Sequence, residues 1–327
     1  MVGKTGWAML VLVLAPQVVM AQSLEACMEE RLKTAEPTIT VGELRQECVI
    51  QTDPDYRRDP LVLKRLAMER RTEWNPFVIT PHKQNYILPF TYMKEPNNEP
   101  YEMVGDDPLD NKEVKMQISL KVPLTDRDLF VTGDSLHFGF TLQAYWQLYN
   151  HELSAPFRET NYQPEFFYTM PLRLEGRYHA AGLRLGAEHQ SNGQTQPFSR
   201  SWNRIYAQVL YARANYMISI RPWYRIPEEE KEDPTKARGD DNPDIDDYMG
   251  YFELNGVVEH NRLEFSAMLR NNLRSENHGA IELGMSFPLF NRLKGYVQYF
   301  NGYGESLIDY DHRIERFGVG ILLTDLM

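Results

Sequence analysis

The stretch from Val114 to Val122 constrains this chain most: Val114, Met116, Ile118, Leu120 and Val122 fall on one side, Lys115, Gln117, Ser119 and Lys121 on the other. Strict alternation of this kind predicts a β-strand with one apolar and one polar face. The pattern recurs in Leu136, Phe138, Phe140, Leu142, Ala144 and Trp146, in Ile281, Leu283, Met285 and Phe287, and at the end in Phe317, Val319, Ile321 and Leu323. About twelve such segments lie between Tyr86 and Leu326. A soluble β-sandwich also alternates, but here the strands are joined by long polar connections such as 227–244 and repeat an inner row of Arg, Glu and Gln. Segments of ~10 alternating residues are the mark of a membrane barrel, and closure is the only way a sheet can pair every backbone group inside lipid. The expected fold is all-β, a twelve-stranded antiparallel transmembrane barrel with an N-terminal periplasmic extension.

Composition agrees. Mean hydropathy is −0.51, which excludes a helical membrane protein, while 19 Tyr and 5 Trp can furnish interfacial belts. A net charge of −11 argues against a nucleic-acid partner. Residues 1–21 combine Lys4, an apolar run from Trp7 to Met20 and a small residue at Ala21, the pattern of a cleaved export signal. Residues 22–80 are polar with stretches of helical spacing and are expected to form the periplasmic extension, leaving 81–327 as the barrel. Cys27 and Cys48, both in that extension of an exported chain, are expected to be bridged.

The chemistry is concentrated in His189-Gln-Ser-Asn-Gly-Gln-Thr-Gln-Pro-Phe-Ser-Arg-Ser-Trp-Asn203. Leu183, Leu185, Ala187, His189 and Ser191 share one face, and beyond the turn Asn203, Ile205, Ala207, Val209 and Tyr211 share the matching one. With the hairpin centred near Gln196, His189 stands opposite Asn203, their side chains on the same face roughly 5 Å apart, and Ser191 lies two residues along. Serine, histidine and a side-chain amide in this order suit nucleophilic catalysis: the imidazole takes the serine proton, and the amide oxygen fixes the ring's tautomer. Any one of these polar residues near a membrane boundary is unremarkable; three on one outward row point to a site. There is no Gly-x-Ser-x-Gly elbow and no His-Glu-x-x-His motif, so the hydrolase-elbow and zinc-protease readings lack their anchors.

The run His189-Gln-Ser191-Asn-Gly193 with Pro197-Phe-Ser199-Arg-Ser-Trp-Asn203-Arg resembles outer-membrane phospholipase A, and the likeness extends through 154–162, 240–245, 248–251 and 302–310. The resemblance implies a twelve-stranded barrel, phospholipase A1 and A2 with lysophospholipase activity, dependence on Ca2+, and a homodimer as the active form. It implies that Ser191 is the nucleophile, His189 the base, Asn203 the orienting residue and the Gly193 amide part of an oxyanion hole. Calcium would be held by the Gln194 carbonyl, the Ser199 hydroxyl and Ser154 of a partner subunit, oxygen ligands that suit the ion. Asp241 matches one acid of a second calcium site, in which Gln196 replaces the other. Gln190 and Gln194 replace residues that are often charged in the family, and Met327 stands where barrels commonly end in an aromatic.

An outward nucleophile at the depth of the ester can meet phospholipid without extracting it. With a periplasmic N-terminus, the fifth strand ends at the cell surface, so the expected substrate is phospholipid of the outer leaflet, including lysophospholipid. Two other readings compete. One is a passive channel whose lumen Arg173, Glu175, Arg184 and Glu188 would fill with ion pairs. The other is a barrel protease, whose paired acids are not evident near His189.

Overall fold

The computed structural model describes residues 23–34, 44, 48, 60–102, 108–174, 179–233, 239–290, 293–324 and 326. The expected export signal, Glu175 and Met327 lie outside them. The chain divides into two compact units, Met1–Arg58 and Asp59–Met327. In the first, helix α1 (Leu24–Thr34) carries Cys27, which is joined to Cys48 in the expected disulfide.

Among the described residues the second unit contains helix α2 (Leu61–Thr72), a two-residue strand, Thr80–Pro81, paired with Lys121 and Leu120, and the twelve strands of the barrel. These are β1 (Asn85–Met93), β2 (Lys112–Pro123), β3 (Ser135–Trp146), β4 (Phe157–Leu172), β5 (His179–Ser191), β6 (Ser201–Arg213) and β7 (Tyr216–Ile226). They continue as β8 (Phe252–His260), β9 (Leu263–Asn271), β10 (Gly279–Phe290), β11 (Leu293–Tyr303) and β12 (Arg313–Thr324). Each pairs antiparallel with its neighbours, and β12 returns to β1, with Phe317 opposite Tyr92. The sheet is therefore a closed barrel, as the alternation predicts. Ile118, Val122, Leu283, Phe317 and Val319 are exposed on its outer wall, whereas Lys115, Ser119, Ser286 and Arg316 are buried inside.

The lumen is full. Arg158 bonds Glu113 at 3.0 Å and Asp309 at 2.8 Å, and Arg316 bonds Glu113 and Glu305, each at 2.7 Å. Lys115 reaches Glu305 at 2.9 Å, and Glu188 takes both Arg204 and Arg221. Charges removed from water are tolerable only when paired in this way. Of the residues expected to fill the lumen, Glu188 does so, Arg184 lies over the Phe167 ring at 4.5 Å, and Arg173 is instead exposed just beyond the end of β4, because the strand stops at Leu172. Gly186 gives the Tyr206 ring its place: a Cβ there would lie 2.5 Å from the ring.

Both mouths are covered. At one end, where the connections 214–215 and 261–262 are tight, α2 bridges from Ala214, which accepts the Leu61 amide proton, to Gly133, whose carbonyl accepts from Arg70 at 2.8 Å. Lys121 holds the helix from inside through Glu69 at 2.7 Å. At the other end, helix α4 (Ile245–Met249), numbered after the single turn α3 (Glu99–Glu102), packs with Leu307 and Tyr310 against Phe167, Trp202, Tyr206 and Trp223.

Candidate active site

The site lies at the second end, where β5 and β6 rise to the loop 192–200. Their register places His189 opposite Asn203 and Ser191 opposite Ser201, the pairing read from the sequence. Glu188, Trp202 and Arg204 are buried in the lumen, whereas Leu185 and Ile205 are exposed on the outer wall; His189, Ser191 and Asn203 share the parity of the outer row and are half-buried.

His189 Nδ1 and Asn203 Oδ1 are 2.9 Å apart. An amide oxygen can only accept, so the hydrogen sits on Nδ1, leaving Nε2 with its lone pair free to serve as a base. Asn203 Nδ2 in turn donates to Glu228 Oε1 at 2.9 Å. Among the described residues Ser191 Oγ makes no hydrogen bond; the structure holds a formed His189–Asn203 pair with the serine two residues along the same row. Across β4, Ser191 is paired with Tyr162, which is 38% exposed.

The loop after Ser191 is organised by Asn192. Its Oδ1 accepts from the Arg200 amide at 3.0 Å and the Gln194 amide at 3.3 Å, and its Nδ2 donates to the Phe198 carbonyl at 2.8 Å. Gly193 has a φ of +65°, in the left-handed region that favours glycine, and a Cβ there would meet the Tyr162 ring at 3.3 Å. Gln194 is exposed, and among the described residues no hydrogen bond reaches its carbonyl. Ser199 Oγ donates to Asp241 Oδ2 at 2.5 Å, while Gln196 Nε2 donates to Asp241 Oδ1 at 2.7 Å and Lys231 pairs with the same carboxylate. Ser154 sits exposed in the 147–156 connection with a φ of 59°, on a different hairpin from Ser199.

The structure thus brings together His189, Asn203 and Ser191 on one face, and Gln194, Ser199 and Asp241 in and beside the next loop. Within this one chain Ser154 belongs to neither group. Sequence reasoning missed Glu228, Lys231 and Asn192. Glu228 follows Ile226, which the β6–β7 register places opposite Asn203, but it stands past the strand's end, where alternation no longer says which way a side chain points.

A closed barrel with an apolar outer wall, a plugged polar interior and a histidine–amide pair beside an outward serine defines a transmembrane β-barrel with a candidate hydrolytic site on its lipid face. The family model for Phospholipase A1 matches residues 62–323, and the chain belongs to that family. It is 38% identical to a Phospholipase A1 of Klebsiella pneumoniae over 296 residues, covering 88% of this chain and 95% of that one. To a Phospholipase A1 of Escherichia coli strain K12 it is 37% identical over 257 residues, covering 77% and 83%. Among solved structures, an active-site mutant of outer membrane phospholipase A from Escherichia coli superposes with a TM-score of 0.68 at 35% identity, covering 78% of this chain and 95% of that one. The outer membrane phospholipase dimer of Salmonella typhi with bound calcium gives 0.68 at 34% identity, covering 77% and 94%.

Proposed function

We propose that the protein is a calcium-dependent phospholipase A of the outer membrane, cleaving phospholipid acyl esters at both A1 and A2 positions and lysophospholipids as well. The observation that carries this reading is the His189 Nδ1–Asn203 Oδ1 bond at 2.9 Å on the same lipid-facing row as Ser191. In the proposed reaction His189 Nε2 takes the Ser191 proton as Oγ attacks the acyl carbonyl, and the developing oxyanion accepts a hydrogen bond from the Gly193 amide. The intermediate collapses as His189 returns the proton to the leaving glycerol oxygen. Water, deprotonated by the same nitrogen, then attacks the acyl-serine, and the fatty acid is released as His189 returns that proton to Ser191 Oγ. Replacement of an asparagine by alanine in the Escherichia coli active-site mutant supports the role given to Asn203.

The residues available for calcium fit the ion. The Gln194 carbonyl is free of other donors among the described residues, and Ser199 directs its proton to Asp241, leaving its lone pairs for a cation; all-oxygen ligation suits calcium. With Ser154 of a partner subunit these residues would hold the ion, which when bound supplies positive charge beside the oxyanion. The apolar outer rows offer the dimer surface, and the Salmonella typhi relative is a calcium-bound dimer. Asp241 does not fit as a ligand of a second calcium: Gln196 and Lys231 take its oxygens, and the ammonium stands where another cation would go. Long connections commonly face outward and tight turns the periplasm, which supports a site toward the cell surface and a substrate in the outer leaflet.

The test is acyl-ester hydrolysis by detergent-refolded protein with calcium, then with chelator, beside Ser191→Ala. Activity that needs both calcium and Ser191 supports the reading. A folded, dimer-competent sample without activity would return the passive barrel to consideration.

A further inference from the structure

A neutral asparagine leaves two problems in a hydrolytic site of this kind. Its amide can present either end to the imidazole, and it carries no charge to balance the imidazolium that forms when the serine proton is taken. Presented by its NH2, the amide would force the hydrogen of His189 onto Nε2 and remove the base. The residue that answers both problems is Glu228.

We infer that Glu228 is a positioning residue for the reaction, fixing the Asn203 amide and supplying negative charge to His189 through it. This rests on the Ser191–His189–Asn203 reading. Glu228 Oε1 accepts from Asn203 Nδ2 at 2.9 Å, and Asn203 Oδ1 accepts from His189 Nδ1 at 2.9 Å. A carboxylate is acceptor-only, so a flipped Asn203 would turn its oxygen against Glu228 and its NH2 against the ring. The orientation observed is therefore the one the carboxylate enforces, and the His189 tautomer follows. The negative charge stands one amide further out than in a direct histidine–carboxylate pair.

The geometry around Glu228 suits the task. Two residues before it, Ile226 is paired in the sheet with Asn203, and one residue after it the Glu229 carbonyl accepts from the Asp240 amide at 2.8 Å. Asp240 is itself clamped by Arg225, whose Nη2 lies 2.6 Å from Oδ2. The backbone carrying Glu228 is fastened on both sides. Glu228 is half-buried, while Glu229 and Glu230 beside it are exposed, so of the acidic run at 228–230 it is Glu228 that is aimed at the site.

The experiment compares Ser191→Ala, Glu228→Gln, Glu228→Asp and Asn203→Asp with the double variant Asn203→Asp/Glu228→Gln, using pH profiles of kcat/KM on mixed micelles at saturating calcium. Glu228→Gln keeps an acceptor but loses the charge; kcat is expected to fall about tenfold with KM little changed, and the acid limb to move down by about half a pH unit as the imidazolium loses its distant anion. Glu228→Asp is expected to keep the limb in place. Asn203→Asp alone sets two carboxylates against each other, and adding Glu228→Gln exchanges amide and acid, so the double variant should recover about threefold or more over Asn203→Asp. Unchanged kcat and limb in Glu228→Gln, with Ser191→Ala inactive, would overturn the inference and leave the triad standing. Activity lost in Glu228→Gln with the limb unmoved and no recovery in the double variant would reduce Glu228 to local packing and overturn it as well. Wild-type activity in Ser191→Ala would remove the triad reading and this one with it.

Discussion

Asn203 faces His189 directly across the β5–β6 ladder, its Oδ1 2.9 Å from His189 Nδ1. The relationship is set by strand register and needs no loop to form it, so it is expected to survive in protein held as a monomer. Asn203→Ala should lower kcat by about 10²- to 10⁴-fold while leaving the barrel folded. His189→Ala should fall to the level of Ser191→Ala, and the double variant His189→Ala/Asn203→Ala should be no worse than His189→Ala, since groups acting as a unit are not additive. Initial rates of ester hydrolysis decide this; independent, multiplying losses would count against one catalytic unit.

Calcium dependence should divide by residue. Ser199→Ala removes the proposed hydroxyl ligand and also the donor to Asp241, so the calcium concentration for half-maximal activity is expected to rise about tenfold or more, by analogy with losses on removing a ligand's support. Ser154→Ala should do the same only if the partner's serine completes the site, and mixing Ser154→Ala with Ser191→Ala protein should then restore part of the activity in mixed dimers. Gln194→Ala should change little, because its carbonyl stays. Calcium titrations of activity test all three.

Stability of the covered mouth is expected to depend on pH. Burial pushes the Glu69 carboxyl up, but Lys121 and Arg65 outweigh it and hold the group below the ordinary carboxylate range. A folded-state value below the unfolded one means that this contribution is complete above the unfolded value, about 4.3, and is lost as pH falls further through the folded one. Helix α2 should therefore loosen below about pH 4, read as increased protease cleavage within 60–79 with the barrel intact. In Glu69→Gln the cleavage should already be raised at neutral pH and should not change with acid; a rise in cleavage on acidification as large in Glu69→Gln as in wild type would dissociate the effect from Glu69.

The barrel was legible because alternation is a local property: Val114 to Val122 and Phe317 to Leu323 declare their faces without reference to anything else. The His189–Asn203 pairing was legible for a related reason, since a hairpin of known centre fixes its own register. What escaped were contacts made by chain past a strand end. Glu228 meets Asn203, and Lys231 meets Asp241, through a connection whose path depends on Arg225, Asp240 and Asn242 rather than on periodicity. The inward turn of Ile245, Met249 and Leu307 was equally hidden, because short apolar groups in polar loops look like ordinary surface until a lumen is there to receive them. Arg173 was misplaced for the converse reason: alternation was carried one residue beyond the end of β4.

The filled lumen leads to a last expectation, about transport and stability together. Arg158 is fully buried between Glu113 and Asp309, Arg316 ties Glu113 to Glu305, and the hydrophobic cluster of Trp202, Trp223, Ile245 and Tyr310 closes the site end. No row of unpaired charge is left to line a water path among these residues, so wild-type protein should give no steady conductance in planar bilayers. Arg158→Met leaves Asp309 in the interior without its cation and Glu113 with Arg316 alone, and should cost about 3–5 kcal/mol, read as a lower urea midpoint in detergent. It should also admit water and small cations to the lumen, so that brief conductance events appear in the variant alone. A wild-type channel of stable conductance would show that the network opens in lipid and would revive the pore.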